Sequence, residues 1–137
     1  MVIKSLKSLC EVFSDILPGY RIRENKQDNE EGAQNDTKVS KDVQSMRDFE
    51  NFILDSYKEY LKILEVFSKT KPEKLIKQKG IEDVEKKLKA LEIYRKLREL
   101  SFISYCKLLK SQPHFNYRLN ILQIIMPRLA TKDMTIR

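Results

Sequence analysis

The sequence KVSKDVQSMRDFENFILDSYKEYLKILEVFSK, residues 38–69, decides the fold. It contains neither glycine nor proline, and its apolar residues recur every three or four positions, as on one face of an α-helix. A helix of this length spans about 48 Å at ~1.5 Å per residue, so it needs other helices packed along it. We expect the aromatic residues of its apolar face to lie in the core. That face comprises Val39, Val43, Met46, Phe49, Ile53, Tyr57, Tyr60, Leu64 and Phe67.

Three further segments show helical spacing of apolar residues. Residues 2–17 form an amphipathic helix that ends at a Pro-Gly pair, and residues 116–126 form another. The apolar face of residues 81–111 changes register near residue 100, so this segment is either one helix or two helices with a bend. Residues 24–37 contain a single alanine as their only apolar residue and predict a mobile polar loop.

The composition also favours helices, because only three glycines and four prolines occur in 137 residues. We predict an all-α fold of antiparallel helix pairs, arranged as the start of an α-solenoid of the HEAT or armadillo type. Residues 1–137 form a single helical region.

Positive charge is concentrated in the second half of the chain. The net charge is +7, and residues 71–112 carry 12 basic against 6 acidic residues. Such a segment either binds nucleic acid or an acidic protein, or is only a solvated lysine-rich helix face. The candidate basic surface comprises Lys86, Lys87, Lys89, Arg95, Lys96 and Arg98.

The sequence carries few signals of catalytic chemistry. It has one histidine, and Cys10 and Cys106 stand far apart without a second histidine to complete a metal site. No phosphate-binding glycine motif and no nucleophile motif occurs. No window approaches the ~20 apolar residues of a membrane span. We therefore expect a helical interaction module rather than an enzyme, with no cofactor, metal, small-molecule substrate or membrane partner.

Two short polar motifs lie between helices. In an extended segment Arg21 and Arg23 point the same way, so they could bind a carboxylate or a phosphate, or pair with acids of a neighbouring helix. Asn116 can cap the helix that follows it, and we expect the lone His114 to pack or to cap. The candidate interface or joint residues are Tyr20, Arg21, Arg23, His114, Asn116 and Arg118.

Three stretches of the sequence carry specific motifs. VFSDILPGYRIR, residues 12–23, contains the pattern I-[LIV]-P-x-Y-R-I-R. Residues 38–65 contain the patterns K-V-S-K-[DE]-V, R-x-[FY]-E and Y-K-x-Y-[LV]. Residues 106–120 contain the pattern L-L-x(3)-P-H-F-N-[FY]-R. In these motifs, and in their order and spacing over most of the chain, the sequence resembles the nucleolar complex-associated protein 3 family.

The resemblance implies a helical scaffold in nucleolar large-subunit (60S) ribosome biogenesis. Its expected partners are a second nucleolar complex protein, in a heterodimer, and the proteins and pre-rRNA of pre-60S particles. Family members are much longer nuclear proteins, so the sequence is expected to be the N-terminal conserved region of one, either as a fragment or as a reduced form. The alternative function is that of a chromatin-bound factor in replication initiation, with replication-licensing proteins as partners.

Overall fold

The computed structural model describes residues 1–23, 40–78 and 83–130, except the side chains of Leu75 and Gln78. These residues form helices and no strand, which confirms the all-α prediction; the solenoid arrangement stays a prediction. The loop expected at residues 24–37 lies outside the described ranges. The five helices are α1 (Val2–Ile16), α2 (Lys41–Lys69), α3 (Pro72–Gln78), α4 (Val84–Ser111) and α5 (Arg118–Leu129).

The central element is α4, which packs against each of the other four helices. It runs without interruption, so the one-helix alternative for residues 81–111 is correct. The change of register near residue 100 arises because α4 is covered on several sides. Leu97, Leu100, Tyr105 and Leu108 are all buried, and so is the small Ser101 between them. The sequence pointed to residues 38–69 as the organising helix, but the centre of the fold lies in the next long helix.

The apolar face of α2 is only partly covered. From Ile53 onward its face enters the core, where Tyr57, Tyr60 and Leu64 are at most 2% exposed. At the start of the helix, Met46 and Phe49 are 63% and 62% exposed. None of the described helices covers residues 41–49, so the prediction that every aromatic residue of this face lies in the core is wrong for Phe49.

An aromatic cluster joins α1 and α2 to the turn before α5. The Phe13 ring stacks on Tyr60 with centroids 5.2 Å apart, and it lies 5.4 Å from Tyr57. The edge of Phe115 meets Tyr57 at 5.4 Å. The Tyr60 hydroxyl donates to the Leu6 carbonyl at 2.9 Å. Large rings therefore fill the core here, and this buried hydroxyl keeps a hydrogen bond.

Two short elements differ from the sequence prediction. The helix α3 was not predicted; it starts with Pro72, whose missing N–H costs nothing at the first helical position, and it buries Ile76. The last helix continues through Pro127 to Leu129, so the prediction that it ends at residue 126 is wrong; Pro127 lacks only its own N–H bond to the carbonyl four residues earlier. Within the described ranges, every helix is too short or too polar to cross a membrane.

Candidate functional site

The site is built around a pair of hydrogen bonds between Ile22 and Asn116. The Ile22 backbone N–H donates to Asn116 Oδ1 at 2.9 Å, and Asn116 Nδ2 donates to the Ile22 carbonyl at 2.9 Å. Both residues are buried, at 3% and 5% exposure. Residues 20–23 belong to no helix, so these backbone groups need an outside partner, and one side-chain amide satisfies both. We call this contact the Ile22–Asn116 joint.

The turn before α5 directs Asn116 inward. The Phe115 N–H donates to the Gln112 carbonyl at 3.2 Å, and the Phe115 ring is buried against Tyr57. Tyr117 then adopts a left-handed backbone with φ of 66° and occupies the cap position of α5. The prediction that Asn116 caps this helix is wrong, because its amide is committed to Ile22.

A second contact ties the segment 20–23 to α2. The exposed Tyr20 hydroxyl donates to a Glu50 carboxylate oxygen at 2.6 Å. This hydrogen bond raises the pKa of Tyr20 above its ordinary value. The carboxylate on the neighbouring helix is therefore used by the tyrosine rather than by either flanking arginine.

Arginine side chains surround the joint on two sides. A cleft of about 450 Å³ is lined by Arg21, Arg23 and, from α2, Arg47. A second cleft of about 370 Å³ is lined by Arg21, Arg118 and His114. All of these side chains are exposed. Of the two roles expected for His114, packing in the core is therefore wrong. The structure therefore brings the two predicted motifs together and places their charged side chains at the surface.

Arg47 was not among the candidates from the sequence, and it comes to the site from residues 41–49 of α2, which no described helix covers. Its signal was present, because Arg47 and Glu50 are the first and last residues of the R-x-[FY]-E pattern. Glu50 accepts from Tyr20, and Arg47 lines the same cleft. The pattern therefore marks the part of α2 that faces residues 20–23.

The predicted basic surface on α4 does not form one patch. At 3.6 residues per turn, Lys86, Lys89 and Lys96 share one side of the helix, and the other three lie on another. The three lysines each pair with an acidic residue of α4 or its cap. The N–O distances are 3.6 Å for Lys86–Asp83, 2.6 Å for Lys89–Glu85 and 2.6 Å for Lys96–Glu92. Among the described residues, no carboxylate lies within 4 Å of the other three, Lys87, Arg95 and Arg98.

A further arginine, Arg128, holds α5 in place. One of its Nη atoms donates to the Ser68 carbonyl at 3.1 Å, and the guanidinium lies 5.6 Å from the centre of the Phe102 ring. Burial lowers the pKa of Arg128, and the nearby charge of Arg98 adds to this effect. Arg128 therefore stabilises the packing of three helices, a role that no sequence pattern indicated.

The arrangement suits the binding of anions. In the described part of the chain, no group of three histidine, cysteine or acidic residues is placed to hold a metal ion. The exposed groups around the joint are mostly guanidinium groups, which donate paired hydrogen bonds to carboxylates and phosphates.

The chain is similar to known proteins over most of its length. A family model described as "Nucleolar complex-associated protein" matches residues 2–60. The human "Nucleolar complex protein 3 homolog" is 35% identical over 88% of this chain, and the zebrafish one is 36% identical over 94%. The "Nucleolar complex-associated protein 3" of Saccharomyces cerevisiae is 29% identical over 97%.

The chain spans a small part of these relatives, 14% of the human protein, 15% of the zebrafish protein and 18% of the yeast protein. The names of these relatives describe nucleolar proteins. This similarity assigns the chain to the nucleolus, within the nucleus. The agreement extends from animals to a plant and to yeast. Over the region that it spans, the sequence belongs to the nucleolar complex-associated protein 3 family.

Proposed function

We propose that this chain is a non-catalytic helical scaffold in nucleolar biogenesis of the large (60S) ribosomal subunit. It binds a second nucleolar complex protein and pre-60S particles, including their pre-rRNA. The observation that carries the proposal is the similarity to nucleolar complex proteins across 88% to 97% of the chain. A buried joint that presents arginines to solvent, without a catalytic constellation among the described residues, supports a binding role.

The residues divide into two roles under this proposal. Asn116 holds the segment 20–23 against the turn before α5 and acts inside the fold. Arg21 and Arg23 leave that segment as exposed charges and act on a partner. Reversing the charge of both arginines should weaken association with preribosomes without unfolding the chain. An unfolded variant would instead make the two arginines structural.

A chromatin-bound role in replication initiation is the second candidate. The unpaired side of α4, with Lys87, Arg95 and Arg98, favours it, because such a surface suits nucleic acid. The pairing of the other three lysines with acids of α4 or its cap weakens it, since those charges are already compensated.

Affinity purification of the tagged chain from nuclear extract distinguishes the two candidates. Recovery of large-subunit precursor RNA together with other assembly factors supports the scaffold. Recovery of replication-licensing proteins on nuclease-sensitive chromatin, without precursor RNA, contradicts the scaffold and supports the second candidate.

A further inference from the structure

Four arginines from three separate parts of the chain converge around the Ile22–Asn116 joint. Arg21 and Arg23 flank Ile22, Arg47 comes from α2, and Arg118 is the first residue of α5. Arg21 lines both clefts, so the two clefts are adjacent. We call these four residues the arginine cluster.

The charges of the arginine cluster are not compensated by the surrounding described residues. None of the four arginines has a carboxylate within 4 Å there, in contrast to Lys86, Lys89 and Lys96 on α4. Glu50 is the one acidic residue among the described residues that line the two clefts, and it accepts the Tyr20 hydroxyl. Four like charges gathered at one place form a positive surface, which favours the binding of an anion there.

The backbone that carries the cluster is held in place. Both hydrogen-bonding groups of Ile22 are bound by Asn116, and Tyr20 is bound to α2 through Glu50. The starting positions of Arg21 and Arg23 are therefore fixed before any ligand arrives. A preorganised site loses less conformational freedom on binding than a mobile loop does.

We propose that the arginine cluster binds the phosphate backbone of single-stranded RNA; this deepens the proposed function and rests on it. An RNA strand carries a phosphate at every nucleotide, so one strand can supply anions to both clefts. Guanidinium groups bind phosphate oxygens in pairs. The ring of Tyr20, which is 53% exposed, offers a surface for a base to stack on. The amides of Asn51 and Asn120 line the two clefts and can bond sugar hydroxyls.

The test compares two variants that each remove three positive charges from the 137-residue chain. In one, Arg23→Gln, Arg47→Gln and Arg118→Gln are combined. In the matched control, Lys86→Gln, Lys89→Gln and Lys96→Gln are combined on α4. Binding of a fluorescent single-stranded RNA oligonucleotide is measured by anisotropy over a range of salt concentrations, and thermal unfolding is measured for each variant.

The arginine variant should bind RNA more weakly and with a shallower salt dependence than the unmodified chain. Three lost phosphate contacts should reduce the slope of log K against log salt by about 2, since each contact on a single strand contributes ~0.7. The control should keep nearly the full slope. A conservative variant with Arg→Lys at the same three positions should keep the slope but lose affinity, because lysine cannot make paired bonds.

Three outcomes would overturn the proposal. One is that the unmodified chain does not bind RNA, and another is that the lysine control loses as much slope as the arginine variant. The third is that polyglutamate of equal charge binds the chain more tightly than the RNA does, which would assign the cluster to an acidic protein. If any of these occurs while the tagged chain still recovers preribosomes from nuclear extract, the scaffold function stands and only the RNA site fails.

Discussion

At the scale of single residues, Asn116 shows what can and what cannot be predicted from the sequence. The sequence identified it as a structural residue of the turn, because asparagine after a helix break suits a cap. Its actual partner, the backbone of Ile22, lies 94 positions away in the chain. No local sequence pattern indicates a contact over that distance. Asn116 was therefore predicted as a candidate residue, but its hydrogen bonds to Ile22 were not.

We predict that Asn116→Ala destabilises the chain by about 2–4 kcal/mol. The change removes two hydrogen bonds and leaves the buried N–H and C=O of Ile22 without a partner. The free energy of unfolding in urea measures the effect. The matched control is Asn120→Ala, which truncates an exposed asparagine nearby and should change stability by no more than about 0.5 kcal/mol. Equal effects of the two changes would refute the structural role of the joint.

The buried tyrosines predict how stability depends on pH. Burial raises the pKa of Tyr57, Tyr60 and Tyr105 above the ordinary value. Above about pH 10 the unfolded chain loses these phenolic protons while the folded chain keeps them. The folded state then binds more protons, so the free energy of unfolding is unaffected by these groups below about pH 10 and falls as the pH rises further.

Denaturant unfolding at a series of alkaline pH values checks this prediction, with the ultraviolet absorbance of phenolate as a second readout. In the Tyr105→Phe variant, the decrease in the free energy of unfolding at alkaline pH should be smaller by the contribution of one titrating group. The substitution should also cost about 1 kcal/mol near neutral pH, because the Tyr105 hydroxyl donates to the Leu61 carbonyl at 2.9 Å. An unchanged alkaline slope in this variant would argue against the shifted pKa of Tyr105.

At the scale of helices, periodicity predicted four of the five described helices, α1, α2, α4 and α5, but not which parts of them are buried. The apolar face of residues 38–69 is continuous in the sequence, yet its first turns are exposed, because burial depends on where other helices end. The central position of α4 could not be predicted from the sequence for the same reason. A helix covered on several sides shows apolar residues around much of its circumference, which blurs a single apolar face.

We predict that Leu108→Ala costs about 2–5 kcal/mol, because Leu108, near the C-terminal end of α4, is 1% exposed and the truncation leaves a cavity. The control is Ile103→Ala on the same helix, where the side chain is 60% exposed and the cost should stay near 0.5 kcal/mol or below. Thermal unfolding of both variants measures the difference. Similar losses in the two variants would mean that α4 does not occupy the centre of the fold.

At the scale of the whole molecule, the sequence was sufficient to identify the family, but the positions of the charged residues relative to one another became clear only from the fold. Ordered motifs such as ILPGYRIR and PHFNYR identify the family without any structure. The charge distribution along the chain pointed to α4, where three of the eight basic residues pair with acids of α4 or its cap. Three members of the arginine cluster were candidates from the sequence, but their convergence with Arg47 was not predicted, because the four residues come from three segments that only the folded core brings together.

We propose that the arginine cluster, held in place by the Ile22–Asn116 joint, attaches the chain to preribosomes. The most direct test is the amount of large-subunit precursor RNA that co-purifies with the tagged chain carrying Arg23→Gln, Arg47→Gln and Arg118→Gln, relative to the unmodified chain. We expect a loss of about tenfold, which corresponds to ~1.4 kcal/mol of binding free energy, with unchanged thermal unfolding. Full recovery of precursor RNA by this variant would contradict the claim.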